Sequence, residues 1–183
     1  MMNKYYWKNA YQDYWNLAST KEKKIKFLVE RETGLKLIEN GLGAGSNDLV
    51  NGDAKDNGLN KGDADFYIEE KDCYIEVTGP NIKMDFDRPL WIRPDKLRNA
   101  YRKIQNHEGK LHVVVHVLEQ LNSQTVLRVV VLNHVFFDHI IEKKSFKKVN
   151  PIIRGNKETY YEIPPIHETI ISFEEFLKRL RLM

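Results

Sequence analysis

The sequence predicts a single α/β domain, in which a central mixed β-sheet is flanked by helices and carries additional N- and C-terminal helices. Apolar and polar residues alternate in two short runs between 64 and 78, which is typical of a β-hairpin. β-Branched residues dominate 111–118 and 125–132, which predicts a second pair of strands. Helix-capping signals occur on both sides of these strands, so helices and strands belong to one unit.

The elements before the hairpin are predicted to be helical. Aromatic residues at helical spacing indicate an amphipathic helix over 3–17. Ser19 and Glu22 form a capping box, which opens a second helix that ends near Thr33. A short strand over 35–38 and a loop over 41–63, rich in Gly, Asn and Asp, then lead into the hairpin.

Further elements follow the hairpin. Pro94 and Asp95 are good helix-start residues and predict a helix that ends near Gln105. Residues 160–163 predict an edge strand, and a capping box at Ser172 opens a C-terminal helix. No linker divides the chain, so we expect one domain over 1–183, with a core at about 19–132 and a C-terminal extension of strand and helix over 133–183.

Composition is that of a globular protein that does not cross a membrane. The chain is 42% hydrophobic and 30% charged, and no apolar run approaches the length of a membrane span. The N-terminus lacks the apolar stretch of a signal peptide, and Cys73 is the single cysteine, so we expect a cytoplasmic protein. Acidic residues predominate over 48–76 and basic residues over 83–110, which suits an enzyme acting on a polyanion, although ordinary surface charge is the alternative.

Two carboxylates are the most informative residues. In the predicted hairpin Asp65 and Glu76 occupy the polar faces of adjacent strands, so we expect them to be cross-strand neighbours. Like charges placed opposite each other destabilise a sheet unless a cation bridges them. Oxygen ligands of this kind suit a hard divalent cation, which can activate water against a phosphodiester.

This pattern resembles the PD-(D/E)XK nuclease superfamily, the fold of many restriction enzymes and of archaeal Holliday-junction resolvases. The family pattern is an acid, a hairpin and then acid-x-Lys, and here it reads Asp65 followed by Glu76-Val77-Thr78. The resemblance implies a restriction endonuclease-like core and a Mg²⁺ or Mn²⁺ ion held by Asp65 and Glu76. Thr78 departs from the pattern, because its hydroxyl can hold a water but brings no positive charge.

The resemblance also implies roles for residues outside the hairpin. An acid on the first core helix often joins the metal site, and Glu22 fits best, with Glu32 next, although a capping role alone would also explain Glu22. Lys96, in the first turn of the next helix, is the candidate to replace the missing lysine. Contacts with nucleic-acid phosphates are expected from Ser46, Arg93, Arg98 and Arg102.

The histidines predict no site. His112 and His116 are four residues apart in a strand, which separates them by about 13 Å, too far to share one ion. His139 and His167 have no spacing that indicates a shared ligand.

The resulting hypothesis is a metal-dependent nuclease acting on DNA rather than RNA, in which Asp65, Glu76, Thr78, Glu22 and Lys96 are catalytic. The resemblance to resolvases implies a homodimer. The alternative is a catalytically inactive relative that binds nucleic acid or a protein partner, which would explain Thr78. A third interpretation is a protein-interaction domain that docks through the aromatic N-terminal helix.

Overall fold

The computed structural model describes residues 21–40, 63–80, 82–85, 87–153 and 156–183. The predicted helix over 3–17, the cap residue Ser19 and the loop residue Ser46 lie outside these ranges. The helices are α1 (Lys21–Thr33), α2 (Pro94–Gln105), α3 (His134–Ile141) and α4 (Phe173–Leu182). The strands are β1 (Ile38–Glu39), β2 (Phe66–Ile68), β3 (Cys73–Thr78), β4 (Leu90–Ile92), β5 (Leu111–Glu119), β6 (Thr125–Val131), β7 (Lys147–Val149), β8 (Ile152–Ile153), β9 (Asn156–Lys157), β10 (Tyr160–Ile163) and β11 (Ile170–Ser172).

The main sheet is mixed and has six strands in the order β1-β2-β3-β5-β6-β11. Its neighbours pair antiparallel except β3 and β5, which run parallel and are connected through α2. A parallel pair needs a crossover connection, and a helix is the usual one. This α/β arrangement of a mixed sheet flanked by helices confirms the predicted fold class at that level.

Helices α1 and α4 cover one face of the main sheet. Ile25 and Leu28 of α1 and Phe176 of α4 join alternate residues of the strands in one buried cluster, which includes Ile75 and Val115. The Ser172 hydroxyl accepts a hydrogen bond from the Glu175 N–H at 3.1 Å, so α4 begins with the predicted cap.

Helices α2 and α3 cover the opposite face, together with a second sheet ordered β4-β10-β7. Leu97 of α2 and Phe136 of α3 pack with Ile92 and Ile163 of that sheet and with Val114 of β5. The two faces carry separate apolar clusters because successive side chains in β5 point to opposite sides. Both sides of the central strand are therefore buried.

Several elements differ from the prediction. The short strand expected over 35–38 is reduced to Ile38–Glu39, and residues 160–163 form the middle strand of the second sheet rather than an edge. A 3₁₀ turn over Glu69–Lys71 closes the hairpin, so β2 ends at Ile68. Beyond 133, α3 and the short strands β7, β8, β9 and β11 were not predicted, and β11 belongs to the main sheet.

Within the described ranges, no helix combines the length and the apolar character that crossing a bilayer requires.

Candidate active site

The hairpin places Asp65 beside Glu76, as the alternation predicts. The antiparallel register pairs Phe66 with Ile75, and one further step along it sets Asp65 opposite Glu76. Both acids lie on the face of the sheet that α2 covers, because Phe66 and Ile75 point into the α1 cluster. Asp65 is 8% exposed, and the Glu76 side chain is 13% exposed. The structure therefore brings two nearly buried carboxyl groups together.

The two acids hold protons more tightly than free carboxyl groups do. Burial, reinforced by the charge of Asp65, raises the pKa of Glu76 to about 8, against the opposing effect of Lys96. Burial also raises the pKa of Asp65, although Lys96 and hydrogen bonds from the Val77 N–H and the Glu76 side chain oppose the rise. The pair therefore retains a proton near neutral pH, with Glu76 as the donor and Asp65 as the acceptor.

Asp65 is held in place by the backbone of the neighbouring strand. Its Oδ2 accepts a hydrogen bond from the Val77 N–H at 2.7 Å, and its backbone carbonyl accepts one from the Asn40 N–H at 2.9 Å. A buried charge-assisted hydrogen bond fixes the carboxylate in one orientation. Asp65 therefore presents its remaining acceptor positions in a defined direction.

Lys96 supplies the positive charge of the site. Its Nζ donates to Glu76 Oε2 at 2.8 Å and to the Asp63 backbone carbonyl at 2.8 Å. A lysine in the first turn of a helix meets the positive end of the helix dipole, which is unfavourable unless a partner compensates. Glu76 is that partner, so the lysine expected from its place on the following helix does reach the acidic pair.

Glu22 lies close enough to act on Asp65 electrostatically, but it does not complete a compact triad. Its charge contributes to the raised pKa of Asp65. The neighbouring Lys21 Nζ donates to the backbone carbonyls of Gly79 and Pro80 at 2.7 and 2.8 Å, which ties the start of α1 to the end of β3. Among the described residues, Glu22, Asp65 and Glu76 do not form a group whose ligand atoms all lie within 4.8 Å.

Gly79, directly after β3, allows a close approach to the backbone of β5. Its φ of 150° is in the region that favours glycine, and a Cβ built there would lie 2.2 Å from the Val117 carbonyl oxygen. Glycine is therefore required where the chain leaves β3 and passes close to the backbone of β5.

The other acids of α1 are used elsewhere. Glu32 lies at the far end of the helix, where its carboxylate is 3.7 Å from Arg181. Glu30 Oε1 accepts a hydrogen bond from the Leu37 N–H at 3.0 Å. The structure therefore favours Glu22 over Glu32 as the acid nearest to the pair.

Thr78 shares the sheet face of Glu76 and lies beside His116 in the parallel register. His116 is 2% exposed, and burial lowers its pKa to about 4, so its ring is neutral at pH 7. Neither residue brings a positive charge to the end of β3. Lys96 contacts Glu76 and acts electrostatically on Asp65, so it brings to the acids the positive charge that Thr78 does not.

A small pocket adjoins Glu76 and Lys96. Three further residues that line it, Tyr74, Lys103 and His112, were not predicted from the sequence. Tyr74 stacks on His112 with ring centroids 5.0 Å apart, and Lys103 Nζ lies 4.6 Å from the Tyr74 ring centroid. Lys103 is seven residues after Lys96, a helical spacing that could have identified it as a second lysine on the same side of α2.

The arginines predicted to contact phosphates lie on or beside α2. Arg93 precedes the helix and forms a two-point ion pair with Asp95, at 2.7 and 3.1 Å. Arg98 and Arg102 are exposed and four residues apart, so they lie on one face of α2. The side chains of Arg98 and Arg102 are therefore exposed to solvent, whereas the Arg93 guanidinium already holds a carboxylate.

A second cluster of polar side chains was also missed. His139 of α3 and His167, in the segment between β10 and β11, have ring centroids 4.6 Å apart, and with Glu168 they bring three ligand atoms within 4.8 Å of one another. Burial, together with the charge of His139, lowers the pKa of His167. Nothing in the spacing of these residues along the chain indicates the contact.

Comparisons of the chain with protein-family models, with curated proteins and with solved structures find no match.

Proposed function

We propose that this protein is a metal-dependent nuclease of the PD-(D/E)XK type, with a restriction endonuclease-like core, which hydrolyses phosphodiester bonds in DNA. The observation that carries the proposal is the 2.8 Å contact between Lys96 Nζ and Glu76 Oε2, on the strand next to Asp65. The motif in the sequence contains the two acids, Asp65 and Glu76, but has Thr78 where the family has a lysine. Lys96 of α2 supplies what Thr78 cannot.

The donor set fits a Mg²⁺ or Mn²⁺ ion. Asp65 and Glu76 offer carboxyl oxygens side by side, and burial together with their proximity raises the pKa of both, so a cation bound between them would stabilise their ionised forms. Mg²⁺ is commonly held by one or two carboxylates, with water and substrate phosphate completing its shell, so a third close acid is not required. Such an ion would lower the pKa of a bound water and neutralise charge that develops on the phosphate.

The residues of the chain then have distinct roles. Asp65, fixed by the Val77 N–H, orients the acidic pair, and Glu76 would hold a cation in its ionised form, with its proton lost to solvent. The Lys96 ammonium would then be able to donate hydrogen bonds to the attacking water or to a phosphate oxygen. Glu22 adds negative charge near Asp65, and Arg98 and Arg102 hold the nucleic-acid backbone.

One observation favours a catalytically inactive relative as the second candidate. Lys96 already lies against Glu76 at 2.8 Å, so the ion pair could replace a metal and stabilise the fold without catalysis. The protein would then bind nucleic acid through the α2 arginines and would be indifferent to a chelator.

The experiment that separates the two candidates is cleavage of single-stranded, duplex and branched DNA with Mg²⁺, Mn²⁺ or chelator. Wild type is compared with Glu76→Gln, Asp65→Asn and Lys96→Met, and the matched controls are the exposed Glu69→Gln and Lys178→Met. We expect metal-dependent cleavage that the three site variants lower by about 100-fold or more and that the controls leave unchanged. DNA binding without cleavage in every condition would instead show that the protein is a catalytically inactive relative.

A further inference from the structure

We propose that His139, His167 and Glu168 form a binding site for a transition-metal ion of the Zn²⁺ class, separate from the Asp65 and Glu76 pair. One ligand atom from each residue lies within 4.8 Å of the other two. The residues come from α3 and from the segment that leads into β11, so a bound ion would link two parts of the chain. The proposal does not depend on nuclease activity.

The hydrogen bonds around His139 engage its Nδ1 with Ser145 and leave its Nε2 facing Lys143 and Glu168. The Ser145 hydroxyl donates to the His139 backbone carbonyl at 3.4 Å, so its oxygen accepts from His139 Nδ1–H at 2.7 Å. These contacts place a proton on Nδ1, and Nε2, which faces the Lys143 ammonium, is the atom that would bind a metal. A partner that fixes the tautomer in this way is the usual support for a metal-binding histidine.

His167 has one ring nitrogen engaged by Thr169 and the other buried. Its Nδ1 accepts a hydrogen bond from the Thr169 N–H at 3.3 Å and lies 2.8 Å from Thr169 Oγ1. Its Nε2 is buried and has no hydrogen-bond partner among the described residues. Leaving a buried polar atom unpaired is costly, and a metal ion bound at Nε2 would remove that cost if the ring proton moved to Nδ1 and were donated to Thr169 Oγ1.

Phe146 holds both rings in position. It stacks on His139 with centroids 5.3 Å apart and meets the edge of His167 at 5.1 Å. Phe146 is buried, so the two imidazoles rest against a fixed apolar wall. An apolar shell of this kind limits water access and strengthens metal coordination.

A cationic group already lies at the proposed site. Lys143 Nζ is 3.3 Å from His139 Nε2, and Glu168 Oε1 is 3.8 Å from the same nitrogen. Lys143 is exposed and flexible, so its ammonium can withdraw when a metal ion takes its place. Lys143 therefore acts as a competitor for the metal, whereas Glu168 acts as a ligand.

The ligand chemistry selects the class of ion. Two imidazoles and one carboxylate suit Zn²⁺, Co²⁺, Ni²⁺ or Cu²⁺, whereas Mg²⁺ and Ca²⁺ prefer oxygen ligands alone. Three protein ligands leave at least one coordination position for water. The Asp65 and Glu76 pair, which has only carboxylates, is expected to prefer Mg²⁺ or Mn²⁺.

The test is titration of the metal-free full chain with Zn²⁺ alone, read as a dissociation constant by competition with a chromogenic chelator and as a rise in thermal midpoint. We expect His139→Gln and His167→Gln to weaken binding by more than about tenfold and to abolish the thermal shift. Lys143→Met is expected to tighten binding several-fold, because it removes the competing charge. The controls are His134→Gln, which is exposed in the first turn of α3, and Asp65→Asn.

Two outcomes would overturn the proposal. Zn²⁺ affinity that is equal in wild type, His139→Gln and His167→Gln would place the ion elsewhere, and a loss in Asp65→Asn alone would place it at the acidic pair. If a histidine variant fails to fold, Lys143→Met is the test of the proposal. Unchanged Zn²⁺ affinity in that variant would show that Lys143 does not compete for a metal at His139, which would also overturn the proposal.

Discussion

Lys96 Nζ and Glu76 Oε2 are 2.8 Å apart, and this contact joins the first turn of α2 to the central part of β3. The lysine is 19% exposed and the glutamate 13%, so solvent screens their interaction only in part. The contact ties a helix start, where a lysine is unfavourable by itself, to a carboxyl group whose burial is equally unfavourable by itself.

Replacing Lys96 with Met is expected to destabilise the protein by about 1–3 kcal/mol, because it removes the charge-assisted hydrogen bond to a buried carboxyl group. This loss of stability is smaller than the loss expected when a fully ionised buried pair is broken, because Glu76 can remain protonated. Urea unfolding of Lys96→Met beside the exposed control Lys178→Met measures it. An identical midpoint in the two variants would show that the contact contributes nothing to stability.

The raised pKa of Glu76 predicts a pH dependence of stability in the metal-free protein. The folded state keeps this proton up to about pH 8, whereas the unfolded chain releases it near 4.5. The unfolded state thus binds fewer protons between these values, so stability falls as the pH rises through that window, by up to about 1.4 kcal/mol per pH unit. Glu76→Gln should flatten the profile, and the exposed control Glu69→Gln should not. A wild-type profile already flat over this range contradicts the assigned pKa.

Metal binding should show the opposite dependence on pH. A cation displaces the proton of Glu76, so Mg²⁺ affinity is expected to increase as the pH rises toward about 8. Calorimetric titration with Mg²⁺ at several pH values, together with the number of protons released, measures this coupling. Affinity independent of pH would place the ion away from Glu76.

Two acids of α1 provide a matched comparison. Glu22→Gln should weaken Mn²⁺ binding less than Glu76→Gln does, because Glu22 acts on Asp65 through its charge rather than as a close ligand. Glu32→Gln, which lies near Arg181 at the other end of the helix, should leave Mn²⁺ affinity unchanged. The affinities can be compared by the paramagnetic relaxation of water protons. Equal effects of Glu22→Gln and Glu32→Gln would remove Glu22 from the site.

The exposed arginines of α2 predict a change in the salt dependence of binding. Each phosphate contact contributes about 0.9 to the slope of log affinity against log salt on duplex DNA, so Arg98→Gln with Arg102→Gln should lower that slope by about 2. Fluorescence anisotropy at several salt concentrations measures it, with Arg179→Gln on α4 as the control. A slope unchanged by the α2 variants would mean that DNA binds another surface.

The hairpin could be predicted from the sequence because alternation fixes both the faces of the strands and their register. Asp65 and Glu76 were therefore correctly expected to be neighbours. The cap at Ser172 was predictable for a similar reason, since the signal is local. Local patterns specify secondary structure and the adjacency of strands that directly follow each other.

Contacts between distant segments were not predictable in the same way. Lys96 could be selected for its place on α2, but no pattern indicates that it reaches Glu76. His139 and His167 meet only because α3 and the segment before β11 pack together. Helix α3 itself was missed, because its eight residues (HVFFDHII) are too short and too apolar to give a helical period. Residues 160–163 were correctly predicted as a strand, but their central place depends on β4 and β7.

The most direct test of the central claim is the rate of DNA cleavage by wild type and Glu76→Gln at pH about 8, with and without Mn²⁺. The nuclease assignment predicts cleavage by wild type that requires the metal and falls by about 100-fold or more in the variant, while both proteins keep the same circular dichroism. Absence of cleavage by folded wild type on single-stranded, duplex and branched DNA alike would contradict it.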